Sequence, residues 1–199
     1  MKKNRNVFNM TIISMLIAIL IIQTFVPILG YIPLGPIDVT IVHITVILTA
    51  VLFGSKMGLT IGTIWGFLSM IRAYTQPTPF NIVFLNPLIS VVPRMLVGWI
   101  SGLLFQWIKK HLSERLSYMV TALVGTLLNT VLVLGGIYIL AAETYAHALG
   151  VPEPALLSIL GTVVATNGII EVVASMIILP LVAVPLTRFL KRRNNEMDL

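Results

Sequence analysis

The chain has 199 residues, 57% of them hydrophobic and 10% charged, with a mean hydropathy of +1.00, whereas a soluble domain carries about 25% charged residues. That composition leaves little room for a soluble domain, and the lack of cysteine excludes disulfides, thiolate nucleophiles and cysteine–metal sites. The formal charge of +6 comes mostly from basic residues at the two termini and in one short loop, a pattern that reads as membrane topology and not as a nucleic-acid patch.

A hydrocarbon core needs about 20 mostly apolar residues per helix, and six segments qualify as an all-α, six-helix membrane bundle forming one domain over 1–199. The first, 7–29, follows the basic start MKKNRN. It is longer than a signal peptide's apolar region of about 7–15 residues and no A-x-A site follows, so it is expected to be a retained helix. Ser14 and Ala18 form a small-xxx-small pair on it. The second and third segments, 38–53 and 57–73, are joined by the turn GSK and are short enough to require tilt or local thinning. His43 lies in the second; Arg72 ends the third, followed by Tyr74 and Gln76.

The fourth segment, 88–108, carries Arg94 about two turns in. An arginine at a bilayer centre costs roughly 2.5–3.5 kcal/mol on insertion scales, so it is expected to face the bundle interior and meet a partner. Pro93, just before it, is expected to free a backbone carbonyl nearby. Asn129 lies near the middle of the fifth segment, 118–142. The sixth, 160–189, carries Asn167 and Glu171 four apart, hence on one face, and has Pro180 and Pro185 near its end.

Glycines recur every fourth residue at Gly54, Gly58, Gly62 and Gly66, and the spacing returns at Gly98 and Gly102. Small residues let helices approach closely where no hydrophobic force drives them together. Packing within the chain and docking to another membrane protein are both open readings of these stripes.

Charge supports the helix count. Lys2, Lys3, Arg5, Lys56, Lys109, Lys110, Arg115, Arg188, Lys191, Arg192 and Arg193 all fall on one side of a six-helix arrangement. Positive residues mark the cytoplasmic side, so both termini are expected in the cytoplasm. Arg72 and Arg94 then lie in the outer half, together with His43, Asn129, Asn167 and Glu171, as a pocket opening outward would require. Each has a structural alternative: a core histidine, an arginine reaching lipid phosphates, an interhelical asparagine, or a buried Arg94–Glu171 pair. Two arginines, a histidine and one acid favour a small anion or a zwitterion rich in hydroxyl and amide groups.

No P-loop, H-E-x-x-H or G-x-S-x-G motif occurs. Glu143 and His147 are four apart, but no third metal ligand is evident in the sequence around them. No metal or cofactor is expected, and no nucleic-acid partner. The chain reads as a binder without its own energy source, not as an enzyme.

At this point the residues resemble the substrate-binding S components of energy-coupling-factor (ECF) vitamin transporters. The LFGSKMGLTIG turn is similar to the family's FGP-x-x-G-x-x-x-G turn, with Ser55 in place of the proline. GPID-x-TIVHI and PR-x-LVG at 93–98 look most like pantothenate-specific members. The resemblance implies a vitamin pocket capped by the first and third loops and a bacterial cell membrane location. It further implies docking, through an A-x-x-x-A motif, on a membrane subunit driven by two cytoplasmic ATPases, followed by toppling in the bilayer. Ser14 and Ala18 stand at the motif's two positions, with serine in place of the first alanine keeping the surface small. For pantothenate, Arg94 or Arg72 is expected to hold the carboxylate, and Asn129, Asn167, His43 and Glu171 the amide and hydroxyls, with Tyr74 nearby. A pyridoxine-like, hydroxymethylpyrimidine or riboflavin ligand would instead want stacking on Trp65, Trp99 or Tyr74. A membrane scaffold protein would show no such pocket.

Overall fold

A computed structural model describes the backbone of residues 2–26, 28–32, 38–78 and 80–198, and side chains over the same ranges except at 2–6, 9 and 194–198. The side chains of Lys2, Lys3 and Arg5, and the 33–37 part of the first expected loop, lie outside the described residues.

Among the described residues the fold is all-α apart from one short hairpin. Eight α-helices follow in order: α1 Lys2–Phe25, α2 Val42–Phe53, α3 Ser55–Thr75, α4 Pro87–Ile108, α5 Glu114–Leu140, α6 Ala142–Leu149, α7 Leu156–Val163 and α8 Ile169–Asp198. Between α1 and α2, β1 (Tyr31–Ile32) pairs antiparallel with β2 (Val39–Thr40), setting Tyr31 opposite Thr40. Among the described residues, three stretches are long and apolar enough to cross a membrane: Pro87–Ile108, Glu114–Leu140 and Glu153–Arg193. Met10–Phe25 and Val42–Phe53 are shorter apolar helices.

The segment expected as one sixth helix is made of three pieces. A π-helical turn, Val164–Gly168, joins α7 to α8. Such turns insert an extra residue and re-aim the side chains around it. The loop before it folds in part as α6, ended by left-handed Gly150.

α2 is apolar nearly all round, and Val42 to Val51 are all buried. A helix without a polar face belongs inside a bundle. At 12 residues it spans about 18 Å, which an inner helix tolerates because α1, α3, α4, α5 and α8 surround it. The α2–α3 turn is a single residue, Gly54, at φ 92°. Only glycine adopts that backbone without strain. Ser55 is then the first residue of α3, the position where proline is best tolerated, so serine fits the same turn.

The glycine stripes pack within the chain. A Cβ on Gly58 would collide with the Gly98 carbonyl, and one on Gly98 with the Gly58 carbonyl. Gly62 faces the carbonyl of Arg94, Gly66 faces Val91, and Gly102 faces Ser55. α3 and α4 therefore meet backbone to backbone, which fixes the position of the Arg94 main chain.

Candidate functional site

A cavity of about 740 Å³ opens at the end of the bundle where α1 stops and α2 starts. Such a volume lies within the range of small-molecule sites, about 300–1,000 Å³. The ends of α1 and α3, the hairpin, the α3–α4 loop, the upper turns of α4 and α5, α6 and the π-turn all contribute walls.

The structure brings Arg94, Arg72, Asn129, Asn167 and Glu171 to this one cavity. Arg94 is 4% exposed. Its Nη1 donates to the Ile89 carbonyl at 2.6 Å. In an α-helix that carbonyl would accept from the residue four positions on, which is Pro93, and proline has no N–H to give. The proline thus leaves an acceptor that the neighbouring arginine takes. The guanidinium also lies 5.1 Å from the Trp65 ring and 4.9 Å from that of Phe84. Its Nε, buried, has no hydrogen-bond partner among the described residues.

Glu171 does not pair with Arg94. Its Oε1 accepts the Thr40 backbone N–H at 2.6 Å, tying α8 to β2. That bond uses a hairpin-edge amide that would otherwise face the cavity wall unsatisfied. Asn129, 4% exposed, has a buried Oδ1 with no partner. Asn167 sits in the π-turn, its Oδ1 3.3 Å from Thr166 Oγ1.

Arg72 is differently engaged. Its Nη2 meets Asp38 Oδ2 at 3.3 Å, and its Cζ stands 4.0 Å from the Tyr31 ring centroid. Tyr31 Oη in turn accepts from Trp65 Nε1 at 3.0 Å and lies 3.3 Å from Ser69 Oγ. The hairpin is so held to α3 by one aromatic ring and one ion pair.

His43 and Tyr74 do not reach the cavity. His43 is completely buried in α2, with Nε2 3.0 Å from Thr126 Oγ1. Tyr74 is 79% exposed. Of the stacking candidates, Trp65 is fully buried beneath Tyr31 and Arg94, and Trp99 is exposed away from the cavity. Ser14 and Ala18 are exposed on α1, and Ser14 Oγ donates to the Met10 carbonyl at 2.9 Å.

Residues 8–183 match the family described as ECF transporter, substrate-specific component. The chain belongs to this family. It is 33% identical over 181 residues to the pantothenate transporter PanT of Leuconostoc mesenteroides subsp. mesenteroides, covering 85% of this chain and 87% of that protein. It is 30% identical over 211 aligned positions to the pantothenic acid transporter PanT of Lactococcus lactis subsp. cremoris, covering 98% of this chain and all of that protein.

Several cavity residues of this S component were not singled out by sequence reasoning: Tyr31, Asp38, Thr40, Asn81 and Tyr145. All lie in connections between long helices. Asn81 orders the α3–α4 loop: its Oδ1 accepts from Thr78 N at 2.8 Å and its Nδ2 donates to the Gln76 carbonyl at 2.9 Å. Such a local asparagine loop motif carries a sequence signal, because asparagine commonly bonds nearby backbone. Tyr145, in α6, is buried and lines the cavity, and burial raises its phenol's pKa. Nothing in its sequence surroundings marks it, since α6 is brought there only by the fold.

Proposed function

We propose that this S component captures pantothenate from outside a bacterial cell and delivers it as the binding subunit of an ECF importer. The observation that carries the reading is Arg94: a buried guanidinium on the wall of a small-molecule cavity, with its Nε–H unspent and no acid within salt-bridge distance among the described residues. A buried cation without a counter-charge in contact is costly, and a ligand carboxylate supplies the missing charge and acceptors. Pantothenate has one carboxylate, an amide and two hydroxyls. Arg94 takes the carboxylate, while Asn129, Asn167 and Glu171 serve the amide and hydroxyls. The names of both PanT relatives support this ligand.

In this reading the chain crosses the plasma membrane six times with both termini in the cytoplasm, so the cavity faces outward. It docks on the ECF transmembrane subunit through Ser14 and Ala18, and two cytoplasmic ATPases drive the assembly. The exposed α1 face supports this use: Met10, Ser14, Ala18 and Ile22 follow at intervals of four, all exposed. Because the Ser14 hydroxyl is satisfied within α1, it does not burden an apolar contact.

Isothermal titration of the purified chain with pantothenate, pyridoxine and riboflavin tests the substrate. Saturable heat with pantothenate alone is expected. No heat with pantothenate and tight binding of pyridoxine would overturn the assignment.

A further inference from the structure

Three polar side chains lie buried directly beneath the cavity without lining it. His43 on α2, Thr126 on α5 and Ser175 on α8 are each fully inaccessible. His43 Nε2 is 3.0 Å from Thr126 Oγ1, and Thr126 Oγ1 is 2.8 Å from Ser175 Oγ. Ser175 Oγ is 2.9 Å from the Val172 carbonyl. The Ser175–Val172 contact sets a proton direction for this chain. The carbonyl can only accept, so the Ser175 hydroxyl donates to it. A hydroxyl has one hydrogen, so Ser175 can only accept from Thr126, and Thr126 can only accept from His43. On that direction Nε2 is the protonated nitrogen of His43.

Each member stands three or four residues from a cavity group on its own chain segment. Thr40, which donates its N–H to Glu171, is three residues before His43. Asn129 is three residues after Thr126, and Thr130 Oγ1 donates to the Thr126 carbonyl at 3.2 Å. Glu171 is four residues before Ser175. Packing at this level is tight: a Cβ on Gly125 would lie 2.7 Å from Ile47 Cδ1 and from Ser101 Oγ. Three helices are therefore locked in register by one directed hydrogen-bond chain immediately below the groups that face the ligand.

We propose that His43, Thr126 and Ser175 are positioning residues for ligand binding, holding Thr40, Asn129 and Glu171 in mutual register while touching no ligand themselves. The affinity part of this inference rests on the pantothenate reading; the register part does not.

Two measurements test it, both on the full chain in lipid nanodiscs. The first needs no ligand. In ¹⁵N NMR of histidine- and asparagine-labelled protein, with His43 and Asn129 assigned by substitution, Nε2 of His43 is expected to carry the proton. Thr126→Val is expected to shift both the His43 ring and the Asn129 side-chain resonances, and Thr126→Ser to return them towards wild type. Ser175→Ala provides the same break from the other end of the chain, should Thr126→Val fail to fold. The second is titration with pantothenate. Thr126→Val is expected to weaken binding roughly five- to tenfold, the scale of one lost hydrogen bond, and Thr126→Ser to recover most of that loss. A proton on Nδ1 alone, or folded variants with an unmoved Asn129 resonance, would overturn the register inference. Wild-type affinity in those variants would overturn the binding inference. Should the wild-type chain not bind pantothenate at all, the substrate assignment fails, and the NMR result decides the network by itself.

Discussion

Arg94 donates to the carbonyl of Ile89, the one backbone oxygen in that turn which Pro93 leaves unclaimed. A helix defect and a buried charge, each unfavourable alone, satisfy one another. The guanidinium is thereby anchored at one nitrogen and keeps its Nε donor. Pro93→Ala restores the missing N–H, which then competes for the Ile89 oxygen. Pantothenate affinity is expected to fall by about 1 kcal/mol, the net scale of one hydrogen bond, while thermal stability holds or rises. Calorimetric titration and thermal unfolding of the same sample check both halves.

Arg94→Ala removes the charge assigned to the ligand carboxylate. A loss of roughly 2 kcal/mol or more in pantothenate binding is expected, as for truncating one partner of a buried charged hydrogen bond. Arg94→Lys is expected to recover only part of it, because an ammonium lacks the planar fork. Unchanged affinity in folded Arg94→Ala protein would remove Arg94 from the site.

Arg72 is expected to matter less. Its side chain and that of Asp38 are 23% and 37% exposed, and each already has the other. A double-mutant cycle of Arg72→Ala and Asp38→Ala on pantothenate affinity is expected to give a coupling of about 1 kcal/mol or less, the range for partly exposed pairs. A larger loss for Arg72→Ala than for Arg94→Ala would exchange the roles of the two arginines.

Gly62 leaves no room for a methyl group beside the Arg94 carbonyl. Gly62→Ala must push α3 from α4 and carry Arg94 with it. A destabilisation of about 1–3 kcal/mol is expected, typical of overpacking, with weaker pantothenate binding in the protein that still folds. Thermal unfolding monitored by circular dichroism reads the first effect and titration the second.

Ser14→Trp or Ala18→Trp places a bulky ring on the exposed face of α1, remote from the cavity residues. Uptake of radiolabelled pantothenate by cells or by reconstituted complex is expected to be lost, with ligand binding by the isolated chain retained. Loss of binding as well would point to damage of the fold instead.

Much of the scaffold was legible in the chain because its signals are local. The apolar character of α4, α5 and α8 and the single-glycine turn at Gly54 are properties of short windows. The glycine stripe was visible too, but its spacing alone left open whether the partner was internal. The carbonyls of Gly98 and Arg94 and the backbone of Val91, all on α4, decide that it packs within the chain. Asn167 and Glu171 could be placed on one face by their interval, and both line the cavity.

What helix periodicity could not supply is depth. His43 is a polar residue in the same half of the bundle as Arg94, yet α2 is enclosed on every side and its histidine meets Thr126 instead of the cavity. Tyr74 lies two residues beyond Arg72, but that step turns it some 200° round the helix and leaves it exposed. Tyr31, Thr40 and Tyr145 reach the cavity because short connecting elements fold back over it. By itself, the sequence determined the apolar helices, the charge asymmetry and the set of buried polar candidates, since each follows from local composition and spacing. Tertiary structure alone decided which of those candidates share a cavity, because that depends on contacts between residues far apart in the chain.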